Sequence, residues 1–134
     1  MSDYLVRVLA RQAGVRGFAC ITTDLSREGI RRHAATPLAA AVLSEGLTAA
    51  ALLGATLKVR QRVALKAEGN GPVRKFVTES DANGHVRGYI AEPHVPSPIN
   101  IGPDEMAFAL GNQGLLTVAK DVGLKDLYQG VVPL

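Results

Sequence analysis

The sequence predicts an α+β fold, mainly an antiparallel sheet of hairpins packed against one long buried helix and one short helix. Period-two alternation over Arg62–Glu68 puts Val63, Leu65 and Ala67 on one face and Arg62, Lys66 and Glu68 on the other, as a half-buried strand requires. An Ala- and Leu-rich run from Pro37 to Lys58 has no strong breaker and predicts the long helix. At 134 residues the chain can bury roughly two thirds of its unfolded surface, enough for one core. With 47% apolar residues but only three Phe, three Tyr and no Trp, that core must be built from small aliphatic side chains.

The elements follow in order. Residues 4–10 (YLVRVLA) and 17–23 (GFACITT) are β-rich runs on either side of Gly14, and predict an opening hairpin. Thr23 or Asp24 then suits the cap of a short basic helix whose solvated side carries Arg27, Arg31 and Arg32. Thr36 suits the N-cap of the long helix, Pro37 its first position, and Lys58 its negative C-terminal end. Being apolar nearly all round, this helix reads as buried, while Ser44, Glu45, Gly46 and Thr48 at its middle argue against a membrane span.

Strand 62–68 should turn through Gly69-Asn70-Gly71-Pro72, with positive φ at Asn70 and Gly71 and the exit fixed by Pro72, into a strand over 73–79. A second turn at 80–84 (SDANG) leads into 85–91 (HVRGYIA), completing a three-strand meander. Residues 92–105 hold four of the seven prolines and read as an irregular surface connection. Two strands joined by a short turn fill 109–134.

Several chemistries find no apparatus here. Cys20 is the one cysteine, so the chain supports neither a disulfide framework nor a multi-cysteine zinc site, and its strand-forming neighbours predict a buried, inert thiol. His33, His85 and His94 lack the helical spacing of a ligand pair. Asp104 and Glu105 read as first-turn residues of a short helix rather than as an acid and a base. The glycines of EGNGP and ALGNQG lack the strand-to-helix context of a phosphate cradle and serve turns. The chain is therefore not expected to be an enzyme or to bind a cofactor. No basic segment followed by an apolar run opens it, so the cytoplasm is the expected location.

Charge is unevenly spread: Lys and Arg outnumber Asp and Glu twelve to five through residue 75, then trail three to seven. Two oppositely charged segments side by side in one fold account for this ahead of an anionic partner. The sharper alternative is a basic nucleic-acid-binding module on the 58–89 sheet. There Lys58, Arg60, Arg62, Lys66, Arg74 and Lys75 cluster, and Phe76, Arg87 and Tyr89 could share a sheet face with some of them. So few aromatics make a thin stacking platform, and a half-buried strand needs polar residues on its wet face anyway.

The pieces LLGATLK, GNGPV, VRGYI and LGNQGLLTVAKDVGLKDLYQGVVPL, in this order and spacing, resemble the N-terminal part of the 33-kDa heat-shock protein family, the bacterial redox-regulated holdase chaperones. The matching positions are Lys58, Gly71, Pro72, Arg87, Gly88, Tyr128, Gln129 and Gly130, and the resemblance covers essentially the whole chain. It implies a chaperone without turnover chemistry that holds unfolding proteins during oxidative or heat stress, with clients as partners, a homodimeric state, and no part for membrane or nucleic acid. It also implies a C-terminal zinc centre of four cysteine thiolates as the redox switch. None of those cysteines is in this sequence, so the expectation is an incomplete N-terminal core domain (1–134) that lacks the zinc switch and self-associates through surface left uncovered.

Overall fold

The computed structural model describes residues 2–98, 104–123, 125 and 127–134. Among the described residues, seven strands and three helices follow in the order β1 (Tyr4–Ala10), β2 (Val15–Ile21), α1 (Thr23–His33), α2 (Pro37–Gly54), β3 (Arg62–Gly69), β4 (Lys75–Asp81), β5 (Val86–Ile90), α3 (Glu105–Leu110), β6 (Gly114–Asp121) and β7 (Tyr128–Pro133). The first two strands form a separate hairpin, and the other five form an antiparallel sheet of order β5-β4-β3-β6-β7. The predicted fold class holds, with the meander and final strand pair joined into one sheet by β3 and β6.

Alternation positions the sheet. Val63, Leu65 and Ala67 are buried, as are Phe76, Thr78 and Ser80 on β4, so one face of β3–β4 meets α2. Helix α2 packs on it through Leu38, Val42, Leu43, Gly46, Leu47 and Ala50, a stripe at helical spacing. Burial is thus one-sided rather than all round, and Glu45 in the middle of the helix is exposed. By length and composition α2 is apolar enough to cross a membrane, yet that stripe is spent on the protein core. Close approach depends on glycine: a Cβ on Gly46 would lie 2.8 Å from the Phe76 ring, and one on Gly88 2.8 Å from Leu47 Cδ2. Thr78, fully buried, donates its hydroxyl to the Gly46 carbonyl at 2.9 Å, tying helix to sheet where they are nearest.

Several local expectations shift. Neither Thr23 nor Asp24 caps α1. The carboxylate of Asp3 does so from 21 positions upstream, accepting hydrogen bonds from the amides of Asp24 (2.9 Å) and Leu25 (2.8 Å). The bond from the Asp24 amide first, with a lesser one from Leu25, holds the Asp3 carboxyl below its usual range against the opposing effect of desolvation. Thr36 is the N-cap of α2 in position, but its hydroxyl donates to the carbonyls of Pro93 and Val95, and the Ser97 hydroxyl accepts from the Leu38 amide. The proline-rich connection is therefore not merely surface: Val95 is buried in the core. Its middle, 99–103, lies outside the described residues.

Helix α2 ends at Gly54, four residues before Lys58. Strand β4 starts at Lys75 rather than residue 73, because the connection from β3 is wider than a tight hairpin turn. Gly69 donates to Arg74, and Arg74, not Asn70 or Gly71, adopts a positive φ of 66°. Helix α3 adds a second short helix and takes Ala109 and Leu110, both buried, from the predicted strand region. Asp104 caps it through the Ala107 amide, as its first-turn reading requires.

Candidate functional site

The eight positions singled out by sequence do not converge. Gly71 and Pro72 sit in the β3–β4 connection, Lys58 in the loop after α2, Arg87 and Gly88 on one edge strand of the sheet, and Tyr128, Gln129 and Gly130 on the other. Their contacts are local. Gly71 is pressed against the end of α3, its amide donating to the Leu110 carbonyl at 2.8 Å, while Val73 donates to Ala109 at 2.9 Å. The Lys58 amide donates to the side-chain oxygen of Gln61, closing the loop after α2. Arg87 donates to Glu79 at 2.8 Å. Tyr128 is 63% exposed, and space around Gly130 is open.

Four cations of the proposed basic sheet face are paired, while Lys58, Arg60 and Lys75 form no ion pair among the described residues. Glu79 holds both Arg62 and Arg87, Lys66 pairs with Glu68, and Arg74 with Glu92. Phe76 is buried against α2, on the opposite face from Arg87 and Tyr89, so Tyr89 stands without the second aromatic that stacking was expected to use. The shared-face expectation thus fails for Phe76 and holds for Arg87 and Tyr89, which lie on the face of Arg62 and Lys66.

The titratable groups fall into local structural pairs. Hydrogen bonds from Arg31 first, then Arg32, hold the Glu28 carboxyl at about 2. The side chain and then the amide of His85 lower that of Asp81 in the β4–β5 turn. Cys20 is half-buried rather than buried, on the hairpin face turned toward α2, and desolvation with the nearby Asp3 charge raises its thiol, keeping it protonated. The residues present do not fit a zinc centre: Cys20 is the one cysteine, and among the described residues no three of His, Cys, Asp and Glu come together.

What the surface does offer is apolar area in unusual places. Tyr4, Val6, Val8, Leu9 and Val15 are exposed on the β1–β2 hairpin, and Leu115, Leu127, Tyr128, Val131, Val132 and Leu134 along β6–β7. All six residues of β7 are exposed, and one of its edges pairs with nothing in the sheet. Period-two alternation did not reveal these patches, because the same Val and Tyr residues predict buried strand faces.

Fold and surface together define a small α+β protein that keeps apolar area in contact with solvent. Known proteins make the class specific. The profile of the Hsp33 protein family matches residues 3–134. A 33 kDa chaperonin from Citrifermentans bemidjiense is 51% identical over the whole of this chain and 45% of its own length. One from a Geobacillus species (strain WCH70) is 44% identical, over 100% and 46%. The crystal structure of the Thermotoga maritima 33 kDa chaperonin, a heat shock protein 33 homolog, superposes with a TM-score of 0.90 at 37% identity, over 97% of this chain and 45% of that one. The chain belongs to the Hsp33 family and spans just under half the length of the relatives it matches.

Proposed function

We propose that this chain is the core half of a cytoplasmic, redox-regulated holdase, which captures unfolding proteins under oxidative or heat stress and keeps them from aggregating. The observation that carries the reading is the solvent-facing apolar surface of the hairpin and of β6–β7. A holdase acts by mass action: surface that binds non-native chains lowers the concentration free to aggregate. No reacting atoms are needed, only apolar area that stays accessible in a folded protein. The redox switch belongs to the part of the longer relatives that this chain does not span, since Cys20 alone cannot form an internal disulfide. Unfolded clients are the partners, and uncovered β6–β7 surface disposes the chain to a homodimer.

Thermal aggregation of a model client, followed by light scattering, tests the reading. The 134-residue chain is expected to suppress scattering at stoichiometric amounts, equally with and without prior peroxide and reductant. No suppression would refute the holdase reading, and protection toggled by the oxidant would refute the placement of the switch. A clean monomer over a wide concentration range would refute self-association. Binding to an oligonucleotide that collapses steeply with salt would instead favour the nucleic-acid alternative.

A further inference from the structure

We propose that the cleft between α1, α2 and the open edge of β5 is a binding site for a carboxylate carried on a short branched aliphatic group. The site is separate from the exposed apolar surfaces of the hairpin and of β6–β7.

The cleft has a volume of about 290 Å³, at the small end of the range of about 300–1,000 Å³ that ligand sites occupy. Its floor is Leu43 and Leu47 of α2, both buried, and its apolar walls are Leu25 of α1 and Val86 of β5, both half-buried. The floor cannot rise to fill it, because glycines clamp Leu47 from two sides. A Cβ on Gly29 of α1 would lie 2.7 Å from Leu47 Cδ1, and one on Gly88 of β5 2.8 Å from Leu47 Cδ2. The backbone of β5 adds a donor. The Asp81 amide donates to the His85 carbonyl and the Ala91 amide to that of Lys75, so His85, Arg87, Tyr89 and Ala91 turn their backbone groups toward β4. Val86 and Gly88 turn theirs outward, and β5 ends the sheet, so no further strand meets them. Glycine at that edge leaves its amide unshielded against the approach of a ligand.

Cations held in place identify the polar end of the ligand. Arg32 and Arg87 border the cleft, Arg87 from the far face of β5 at the strand's open edge. Each is anchored by an ion pair that leaves part of it free, since a guanidinium carries five N–H donors. Arg32 gives Nε to Glu28 at 2.6 Å, and Arg87 gives Nε and Nη2 to Glu79 at 3.2 and 2.8 Å, so both keep donors at their Nη nitrogens. Glu28, the carboxylate that borders the cleft, already accepts from Arg31 and Arg32 through its two oxygens. His33 directs Nδ1 to the Gly29 carbonyl at 2.9 Å and keeps Nε2. An anion placed here meets two oriented guanidinium groups and the Gly88 amide, while its aliphatic end lies against Leu25 and Val86. A ligand ammonium would face the two arginines, and a neutral amide would forgo the charge-assisted bonds. Arg87 and Gly88, singled out by sequence as a pair, thus border one cleft.

Isocaproate, its primary amide and the matching amine would be titrated into isotope-labelled protein and followed by backbone amide shifts. The acid is expected to move Gly88, Val86 and Gly29 together and saturably. A dissociation constant of about 1 mM is expected, because few atoms are buried and both arginines are exposed. The amide and the amine should bind at least about threefold more weakly. Arg32→Gln should weaken the acid about threefold, less at high salt, and leave the amide unchanged. Val86→Thr keeps the β-branched shape but removes apolar wall, and should weaken acid and amide alike. The same spectra report whether each variant is folded. Two sources share the ligand chemistry, a free branched-chain acid and a leucine at a polypeptide C-terminus. An acetylated tripeptide ending in leucine with a free carboxylate separates them: tighter binding than isocaproate assigns the site to a chain end, and weaker binding assigns it to the free acid. Absence of saturable shifts, shifts that leave Gly88 unmoved, or equal binding of acid and amide overturns the proposal. So does a folded Arg32→Gln protein that binds the acid as tightly as wild type.

Discussion

Replacing Gly71 with alanine is expected to be among the most damaging single-methyl changes in the molecule. A Cβ there would lie 2.4 Å from the Ala109 carbonyl oxygen, 2.5 Å from the Gly111 nitrogen and 2.6 Å from the Leu110 carbonyl carbon. All three are backbone atoms, so no rotamer change relieves the clash. The end of α3 must withdraw, stretching the bonds from Gly71 to Leu110 and from Val73 to Ala109. Overpacking costs about 1–3 kcal/mol and each weakened hydrogen bond up to about 1, for a loss of about 3 kcal/mol. Urea unfolding followed by circular dichroism reads it as a lower midpoint at constant slope. Two controls share the assay. Gly84→Ala, at φ +82° with open space, should cost about 1 kcal/mol for left-handed backbone alone. Gly130→Ala, in open space without a positive φ, should change stability by less than about 0.5 kcal/mol. A Gly71→Ala protein within about 0.5 kcal/mol of wild type, or a Gly130→Ala as damaged as Gly71→Ala, would refute the close-approach argument.

Further outcomes are expected. Leu43→Ala empties a fully buried position between α2 and the sheet and should cost about 3–5 kcal/mol in the same melts, more than any exposed hairpin valine. Glu28, held at about 2 when folded against an ordinary 4.5, contributes stability that is fully present above its ordinary value and lost as pH falls through the folded one. Glu28→Gln should therefore flatten the acid limb of the stability profile between those values, weakly and less in high salt, since the carboxylate and its arginines are solvent-exposed. An unchanged acid limb would refute that assignment.

Much of this fold is legible because local chemistry and tertiary packing agree. Arg62–Glu68 alternates as a strand and is one, and Pro37 opens α2 at its first helical position. What escaped reading were partners far apart in sequence. Thr23 and Asp24 look like caps, but Asp3 reaches their helix first through the hairpin register, and Ser97 does the same for α2. Asn70 and Gly71 look like a tight turn, but α3 packing widens the connection and displaces the strained φ onto Arg74. The exposed hairpin face was hidden for a related reason: valine in a strand signals burial only if something arrives to cover it.

The β3–β6 pairing carries a consequence for synthesis. Residues 37–90 hold α2 and the β3–β4–β5 meander, which can assemble as soon as Ile90 has emerged from the ribosome. Strand β6 pairs with β3 from Arg62↔Asp121 to Gly69↔Gly114, so β3 must wait more than forty residues for its second neighbour. At translation rates of roughly 5–20 residues per second, that leaves a bare edge for seconds. Pulsed hydrogen exchange on stalled nascent chains would show amides at the β4–β5 border protected before those shared by β3 and β6. A member of a chaperone family thus passes through the hazard of an unpaired strand during its own birth.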